Sequence, residues 1–287
     1  MNNKKIDDIL NMDNINYSTF VGLINERNRP SGGIKTIHCV AVNALINEKK
    51  RMLEIGSTTG FTIVNMSLLT GCQGVGIDIN QKSVDESIIY AKKQGVGGRV
   101  KFIQGDATKL PFKNEEFDVV WASNVTSFIS DKEKAIREYL RVLRPGGTLV
   151  VVPIYYTKEV PDDVLRDVSE AIGVKVDRWN KDFWVQLFTN ISTIPMQLKV
   201  NVELYFERDF EYVDRTDFIS EYVNQIIENN ITIQSEETKK QIKKRFSYFM
   251  ELFNENLKYA GFSILLFQKR LEKDETELFL SKPVRDI

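Results

Sequence analysis

The sequence predicts an α/β fold, a doubly wound layer built on a mostly parallel sheet, and two observations indicate it. Between residues 51 and 154, short Val- and Ile-rich segments alternate with segments of helical periodicity. This alternation is typical of βαβ units, in which right-handed crossovers cover both faces of a parallel sheet. The second observation is a hydrophobic content of 42% in 287 residues, which is enough for a packed core.

The predicted elements follow one another in chain order. Strands are predicted at 51–55, 74–79, 99–105, 117–123 and 147–154. Helices are predicted between them at 61–71, 81–95 and 131–143. In the last helix Ile136, Leu140 and Leu143 share one face, and charged residues occupy the other.

The flanking regions do not continue this alternation. A helix at 36–48 precedes the first strand, and a β-like segment at 198–213 follows several helical stretches. A long helix at 243–260 and strands at 262–270 and 276–282 end the chain. We therefore expect one sheet domain formed by 1–155 and 246–287, which carries an insertion at 156–245.

Composition disfavours several functional classes. The 39 basic and 40 acidic residues nearly balance, whereas proteins that bind long nucleic acids usually show a basic excess. Two cysteines, Cys39 and Cys72, and the single His38 predict neither a disulfide framework nor a His/Cys metal site. Without a signal peptide or a run of ~18 apolar residues, we expect a cytoplasmic protein that does not enter a membrane.

The turn after the first strand is the first candidate binding site. In MLEIGSTTGF, residues 52–61, two glycines flank small hydroxyl residues just before a helix. Glycines allow a ligand to approach the backbone, and the N-terminus of a helix favours a carboxylate or phosphate. The alternative is a tight strand-to-helix turn that binds no ligand.

Acidic residues follow the next two strands. Asp78 ends the second strand, where a carboxylate can bind a ribose diol, and Asp106 follows the third, where it can accept a bond from an adenine amine. The carboxyl ends of parallel strands meet at one edge of a sheet. We therefore expect Glu54, Asp78 and Asp106 to converge there.

In order and spacing, EIGSTTG, GIDIN, GDATKLPF, FDVVWASNV and REYLRVLRPGG resemble the class I S-adenosylmethionine-dependent methyltransferases, most of all the ubiquinone/menaquinone-methyltransferase-like group. The resemblance covers residues 50–155 and the segment near 261. It implies a seven-stranded Rossmann-like sheet with N-terminal helices, a helical lid insertion and S-adenosylmethionine as cofactor. By position it implies these cofactor contacts: Glu54, Gly56, Ser57, Thr58 and Gly60 for the methionine part, Asp78 for the ribose, Ile79, Asp106 and Ala107 for the adenine, and Asn124 for the reactive end.

The sequence departs from this family at two positions. Thr58 replaces a glycine of the first motif, which is compatible with the motif if its φ is negative; otherwise the loop takes a slightly different conformation. Ser127 stands where the family often has a histidine, so no general base is evident. A nicotinamide dehydrogenase, the rival nucleotide-binding class, is disfavoured because G-x-G-x-x-G is absent.

Candidate catalytic residues come from segments expected to cover the strand ends. His38 can titrate near neutral pH, but its mostly apolar helix also suits a packed histidine. Tyr155 and Tyr156 follow the fifth strand and either orient the acceptor or belong to the core. Tyr17 is expected to close over the cofactor or to anchor the N-terminal helix.

Two further residues are candidates for acceptor binding. Arg29, in the loop 24–33, is expected to clamp a substrate carboxylate, or else to be a solvated charge. Trp184 belongs to an aromatic-rich insertion that we expect to form a lid. Some of its aromatic residues must form the core of the insertion, and others are expected to line an apolar pocket.

These observations predict an enzyme that methylates a nitrogen, oxygen or carbon atom of a small molecule, in specialised metabolism, as a monomer or homodimer. The alternatives are an RNA or protein methyltransferase and a non-catalytic module that binds the same cofactor.

Overall fold

The computed structural model describes residues 15–24, 26–190, 201–230 and 236–270, and these form an α/β fold around one mixed sheet. The strands are β1 (Arg51–Ile55), β2 (Gln73–Asp78), β3 (Val100–Gln104), β4 (Phe117–Ala122), β5 (Leu143–Val151), β6 (Ile154–Tyr156), β7 (Asn201–Glu211) and β8 (Ala260–Arg270). The helices are α1 (Tyr17–Leu23), α2 (Gly33–Asn43), α3 (Phe61–Thr70), α4 (Gln81–Lys93), α5 (Lys132–Val142), α6 (Asp162–Ile172), α7 (Lys181–Asn190), α8 (Ile219–Asn230) and α9 (Glu236–Leu257).

The sheet has the order β3-β2-β1-β4-β5-β8, and β7 pairs with the outer edge of β8. Strands β1 to β5 are parallel, whereas β8 is antiparallel to β5, β6 and β7. The strand order reverses between β1 and β4. In such sheets a ligand binds beyond the carboxyl ends of the strands at this reversal.

The eight strands occupy seven positions in the sheet, which agrees with the predicted seven-stranded architecture. β6 continues β5 along the same edge of β8, where Val151 pairs with Leu265 and Ile154 with Phe262. Pro153 separates them because it has no N–H, although its carbonyl still accepts a bond from Ser263 N–H at 3.3 Å.

Both faces of the sheet are buried, as predicted from its Val- and Ile-rich strands. Helices α2, α3 and α4 pack on one face, where Met52, Val119 and Trp121 point. Helices α5 and α7 pack on the other, against Leu53, Val120 and Phe267. The amphipathic spacing of α5 accounts for its orientation, since Ile136 and Leu140 lie in that core.

A separate apolar core joins α1, α6, α8 and α9, and we call these four helices the cover. Phe20 of α1, Ala171 of α6, Ile227 of α8 and Phe246 of α9 are buried in it. α9 leads into β8 at Ala260. The cover therefore lies beside the carboxyl ends of the parallel strands.

The predicted insertion at 156–245 is structurally diverse. The β-like segment is strand β7, which pairs with β8 of the same chain from Asn201 to Glu211, and α7 packs directly on the sheet. Only α6, α8 and the start of α9 belong to the cover. The division into a sheet domain and a separate lid stays a prediction, and its 156–245 boundaries would remove the edge strand of the sheet.

Two remaining expectations concern the ends of the chain and membranes. The strand predicted at 276–282 lies outside the described residues. Across the ranges that the structure describes, no helix is long and apolar enough to cross a membrane.

Candidate functional site at the carboxyl ends of the strands

The turn from Gly56 to Gly60 connects β1 to α3 and has an unusual backbone. Gly56 and Gly60 have φ values of +66° and +79°. A Cβ added at Gly56 would lie 2.5 Å from Val125 Cγ2, and one at Gly60 would lie 2.7 Å from Phe102 Cζ. Both glycines are therefore required by backbone conformation and by close packing.

Thr58 does not have the negative φ that its residue type favours, because its φ is +43°. A β-branched residue rarely adopts this conformation, since its side chain crowds the backbone. The Thr58 N–H donates a hydrogen bond to Asp78 Oδ2 at 2.9 Å. The carboxylate at the end of β2 thus helps to hold the strained turn at the end of β1.

Glu54 lies beneath the turn and is only 5% exposed. Its Oε2 accepts a hydrogen bond from Ile63 N–H at 3.1 Å, in the first turn of α3. Burial raises the pKa of Glu54 to about 8, an effect that bonds from Thr62 and Ile63 oppose and the charge of Asp78 reinforces. Its carboxyl group therefore holds α3 in place beneath the turn, close enough to Asp78 to be affected by its charge.

Asp78 and Asp106 lie on neighbouring strand ends, joined where Gly105 N–H donates to Asp78 C=O at 3.0 Å. Asp78 is 9% exposed and also accepts a bond from Asn80 N–H at 2.9 Å, while burial raises its pKa. Asp106 is exposed, and a hydrogen bond from Thr108 N–H at 2.8 Å lowers its pKa. The structure thus places these two acids on adjoining strand ends, where Asp106 is open to solvent and Asp78 is bonded to the backbone of the turn.

Apolar groups accompany these acids. The Ile79 side chain, directly after Asp78, is 73% exposed. The backbone carbonyl of Ile79 accepts a bond from Gln104 Nε2 at 3.0 Å, which ties it to the end of β3. Ala107 is half-buried and packs against the core beneath α5. An exposed isoleucine beside a carboxylate offers a surface on which a flat ring can lie.

Asn124 joins two segments above the turn. It opens a short 3₁₀ turn, Asn124–Phe128. Its Oδ1 accepts hydrogen bonds from Ser127 Oγ at 2.8 Å and from Ile154 N–H at 3.1 Å. Because the next residue, Val125, packs against Gly56, Asn124 positions one wall of the site.

The loop 26–33, which we call the strap, crosses from the cover to the turn. Arg27 donates to Thr59 C=O at 3.5 Å and lies 4.2 Å from the centre of the Tyr90 ring. Arg29 is exposed, and its guanidinium lies 5.4 Å from the centre of the Phe61 ring at the start of α3.

Both ends of the strap are anchored in neighbouring elements. Ser31 accepts a bond from the Tyr212 hydroxyl at 2.7 Å, just after β7. At the other end Tyr222 of α8 donates a hydrogen bond to Glu26. Neither Glu26 nor Tyr222 was predicted as a site residue, because they lie 196 positions apart and no sequence motif includes them.

Tyr17 belongs to the cover. Its ring packs edge-on against Phe249 and Phe253, with centroids 5.5 and 4.7 Å apart. Burial and the neighbouring charge of Glu26 raise the pKa of its phenol. Tyr17 therefore anchors the N-terminal helix and also adjoins the Glu26 end of the strap.

The structure places one candidate catalytic residue, His38, away from the strand ends. His38 is exposed, on the face of α2 opposite Ile37 and Val40, in a surface groove with Leu45 and Leu69. Its assignment as a catalytic residue is corrected, because the helical phase turns it away from the sheet.

The two tyrosines after the fifth strand and the candidate tryptophan are mainly packing residues. Tyr155 is 6% exposed and its hydroxyl pairs with Ser263 Oγ at 2.8 Å. Tyr156 donates to Asn256 Oδ1 at 2.8 Å. Trp184 is 1% exposed and packs edge-on against the neighbouring aromatic rings of Trp179 and Phe183. The alternative that these residues belong to the core describes their positions.

The residues of the site fit an adenosyl amino acid. Two buried hydroxyls of the turn, Ser57 Oγ and Thr59 Oγ1, have no hydrogen-bond partner among the residues described, although buried polar atoms normally have one. The exposed Ile79 suits an adenine and the adjacent Asp78 a ribose. These donors and acceptors are the ones that such a cofactor requires.

Comparison with known proteins agrees with this geometry. Residues 53–151 match the family described as "Methyltransferase domain". The chain is 36% identical over 139 residues to the Gibberella zeae sterol 24-C-methyltransferase ERG6B, over 48% of this chain and 37% of the relative. It is 36% identical over 105 residues to the Vibrio parahaemolyticus ubiquinone/menaquinone biosynthesis C-methyltransferase UbiE, over 36% of this chain and 40% of that protein. The chain thus spans less than half the length of either of these relatives.

A solved structure is similar over most of the chain. The S-adenosylmethionine-dependent methyltransferase of Thiobacillus denitrificans, in complex with S-adenosyl-L-homocysteine, aligns with a TM-score of 0.62 at 17% identity. The alignment covers 90% of this chain and all of that one. At this identity the match establishes a shared fold.

Proposed function

Because this chain belongs to the class I S-adenosylmethionine-dependent methyltransferases, we propose that it transfers a methyl group from S-adenosylmethionine to a small-molecule acceptor. One observation carries the proposal: the glycine turn, with its unpaired Ser57 and Thr59 hydroxyls, adjoins the strand ends that carry Asp78 and Asp106. We propose that it acts in the cytoplasm, which agrees with its two free cysteine thiols.

When bound, S-adenosylmethionine supplies a methyl group that its sulfonium already activates. The protein must then bind and orient the cofactor and the acceptor, and it must exclude water from them. Asp78 and Ile79 are suited to the adenosine, and the turn from Gly56 to Gly60 to the methionine part. Orientation of two reactants can supply up to roughly 7–11 kcal/mol of a reaction barrier.

A small acceptor is supported by the surroundings of the site. The strap contacts the turn through Arg27, and the cover lies beside the strand ends. The formal net charge of −1 offers no excess of positive charge for a nucleic acid.

The test begins with calorimetry of S-adenosylhomocysteine binding to the wild type and to Asp78→Ala. We expect binding to the wild type and a loss of at least tenfold in the variant. Incubation with methyl-labelled S-adenosylmethionine and a fractionated extract should then give a labelled small molecule, identified by mass. Label found only in protein or RNA would contradict the proposed acceptor class, and no affinity for S-adenosylhomocysteine would contradict the proposed function altogether.

A further inference from the structure

Glu26 is a buried carboxylate whose direct hydrogen-bond partner is a neutral side chain. It is 5% exposed, and within the described ranges its carboxylate forms no ion pair with a lysine or arginine at 4.0 Å or less. The neutral phenol of Tyr222 donates the hydrogen bond that it accepts. Burying a carboxylate without an ionic partner is unfavourable, so a fold that keeps one beside its binding site has a use for it.

The position of Glu26 relates it to the cofactor turn. Arg27, the next residue, donates to Thr59 C=O of the turn at 3.5 Å. Arg29 lies over Phe61, which begins the helix after the turn. On its other side Glu26 is bonded to Tyr222 of the cover. Glu26 therefore lies where the strap, which reaches the cofactor turn through Arg27, meets the cover.

Four ionisable groups face Glu26. Tyr17 comes from α1, Tyr222 from α8, and Arg27 and Arg29 from the strap itself. Burial raises the pKa of Glu26, while the Tyr222 hydrogen bond and the two guanidinium charges oppose that rise. A carboxylate whose pKa is raised toward neutrality is a stronger base and a better proton acceptor in catalysis.

The position at which relatives often have a histidine supplies no base here. Ser127 occupies it, and its hydroxyl donates to Asn124 Oδ1 at 2.8 Å. His38 lies on the outer surface of α2. The strap thus carries the one buried carboxylate described here between the turn and the cover.

We propose that Glu26 is the catalytic base that takes the proton of the methyl acceptor, with Tyr222 as the residue that positions its carboxylate. This inference rests on the proposed function and narrows the acceptor to a molecule with a dissociable N–H or O–H. The acceptor heteroatom forms a bond to the methyl carbon as the carbon–sulfur bond breaks, and the electron pair of that bond stays on sulfur. The acceptor proton moves to the Glu26 carboxylate and then to water when the product leaves.

The first test needs no acceptor. Calorimetry compares S-adenosylhomocysteine with sinefungin, whose amine stands near the position of the transferred methyl group. A hydrogen bond to a charged group is expected to change affinity by tenfold or more. Glu26→Gln should therefore weaken the binding of sinefungin about tenfold and the binding of S-adenosylhomocysteine less than twofold. Glu221→Gln, on the exposed neighbour of Tyr222, is the matched control and should change neither.

Two outcomes of this test would overturn the inference. Equal affinity of the wild type and Glu26→Gln for sinefungin would mean that the carboxylate is remote from the reacting centre. An equal loss of affinity for both compounds would mean that Glu26 only supports the shape of the site.

The second test uses the acceptor found in the labelled extract. Glu26→Gln should lower kcat/KM at pH 7 by about 10²- to 10⁴-fold. It should also remove the rise of kcat/KM with pH that deprotonation of the base produces in the wild type. Tyr222→Phe, which removes a bond that lowers the pKa of Glu26, should keep that rise but move it to higher pH. Transfer by Glu26→Gln within twofold of the wild type would refute the base and leave the proposed function intact. If the wild type binds S-adenosylhomocysteine but transfers no label, the proposed function fails, and the sinefungin comparison alone decides the role of Glu26.

Discussion

The N–H of Thr58 and the carboxylate of Asp78 are joined by a hydrogen bond of 2.9 Å across the ends of β1 and β2. Thr58 makes this bond with a φ of +43°, a conformation that glycine adopts freely and threonine rarely does. The predicted ribose-binding acid is therefore already engaged by the backbone of the turn. Strain in the turn and the orientation of Asp78 depend on each other.

Replacing Thr58 with glycine should relieve this strain. A residue held in an unfavourable backbone region costs about 1–3 kcal/mol, and the added flexibility of the unfolded chain offsets about 0.5–1 kcal/mol of the gain. Thr58→Gly should thus raise the free energy of unfolding by about 1 kcal/mol, measured by denaturant unfolding. Thr58→Ala is the matched control, because alanine keeps the φ penalty. A destabilised Thr58→Gly would mean that the threonine side chain contributes more than its backbone costs.

Gly56→Ala should have the opposite effect. The new Cβ would lie 2.5 Å from Val125 Cγ2 at a backbone φ of +66°. Strain and overpacking each cost about 1–3 kcal/mol, so we expect a loss of at least ~2 kcal/mol of unfolding free energy and weaker binding of S-adenosylhomocysteine. Adding Val125→Ala should recover part of that loss. Gly98→Ala has open space around it and should be close to neutral.

The predictable part of the fold came from short-range pattern. The strands at 51–55 and 117–122 follow from short continuous apolar runs, and the amphipathic face of α5 follows from a periodicity of 3.6 residues. The acids at the strand ends follow from the topology of a parallel sheet. The strand ends that carry Asp78 and Asp106 therefore adjoin each other, whereas the roles of these acids in binding stay predictions.

The unpredicted features depend on tertiary contacts. A threonine at positive φ contradicts the local preference of its residue type, and only the surrounding packing holds it there. Glu26 and Tyr222 meet through folding of the cover, and their separation along the chain leaves no periodic signal. The error at His38 came from helical phase, because Ile37 and Val40 face the sheet and His38 faces away.

The stability of the protein should depend on the ionisation of Glu54. Its folded-state pKa, about 8, is higher than the ordinary 4.5 because of burial, so the folded state holds a proton that the unfolded chain releases. The stabilisation is present below about pH 4.5 and is lost as the pH rises to about 8, by at most ~1.4 kcal/mol per pH unit. Glu54→Gln keeps an oxygen that can accept the Ile63 N–H, and it should flatten this dependence in denaturant unfolding at several pH values. Glu48→Gln, at an exposed position, should leave the dependence unchanged, and an equally steep curve for Glu54→Gln would disprove the assignment.

Ile79 should contribute to cofactor affinity without contributing to stability. Its side chain is 73% exposed beside Asp78, so Ile79→Ser removes little packing from the protein alone. Covering an aliphatic side chain of this size with a ring contributes up to about 1.5–3 kcal/mol when burial is complete. Because the ring buries the side chain only in part, S-adenosylhomocysteine should bind about tenfold more weakly to Ile79→Ser, and the free energy of unfolding should be unchanged. Ile89→Ser, at another exposed isoleucine on α4, is the control. If both variants bind with wild-type affinity in calorimetry, the adenine lies elsewhere on the sheet edge.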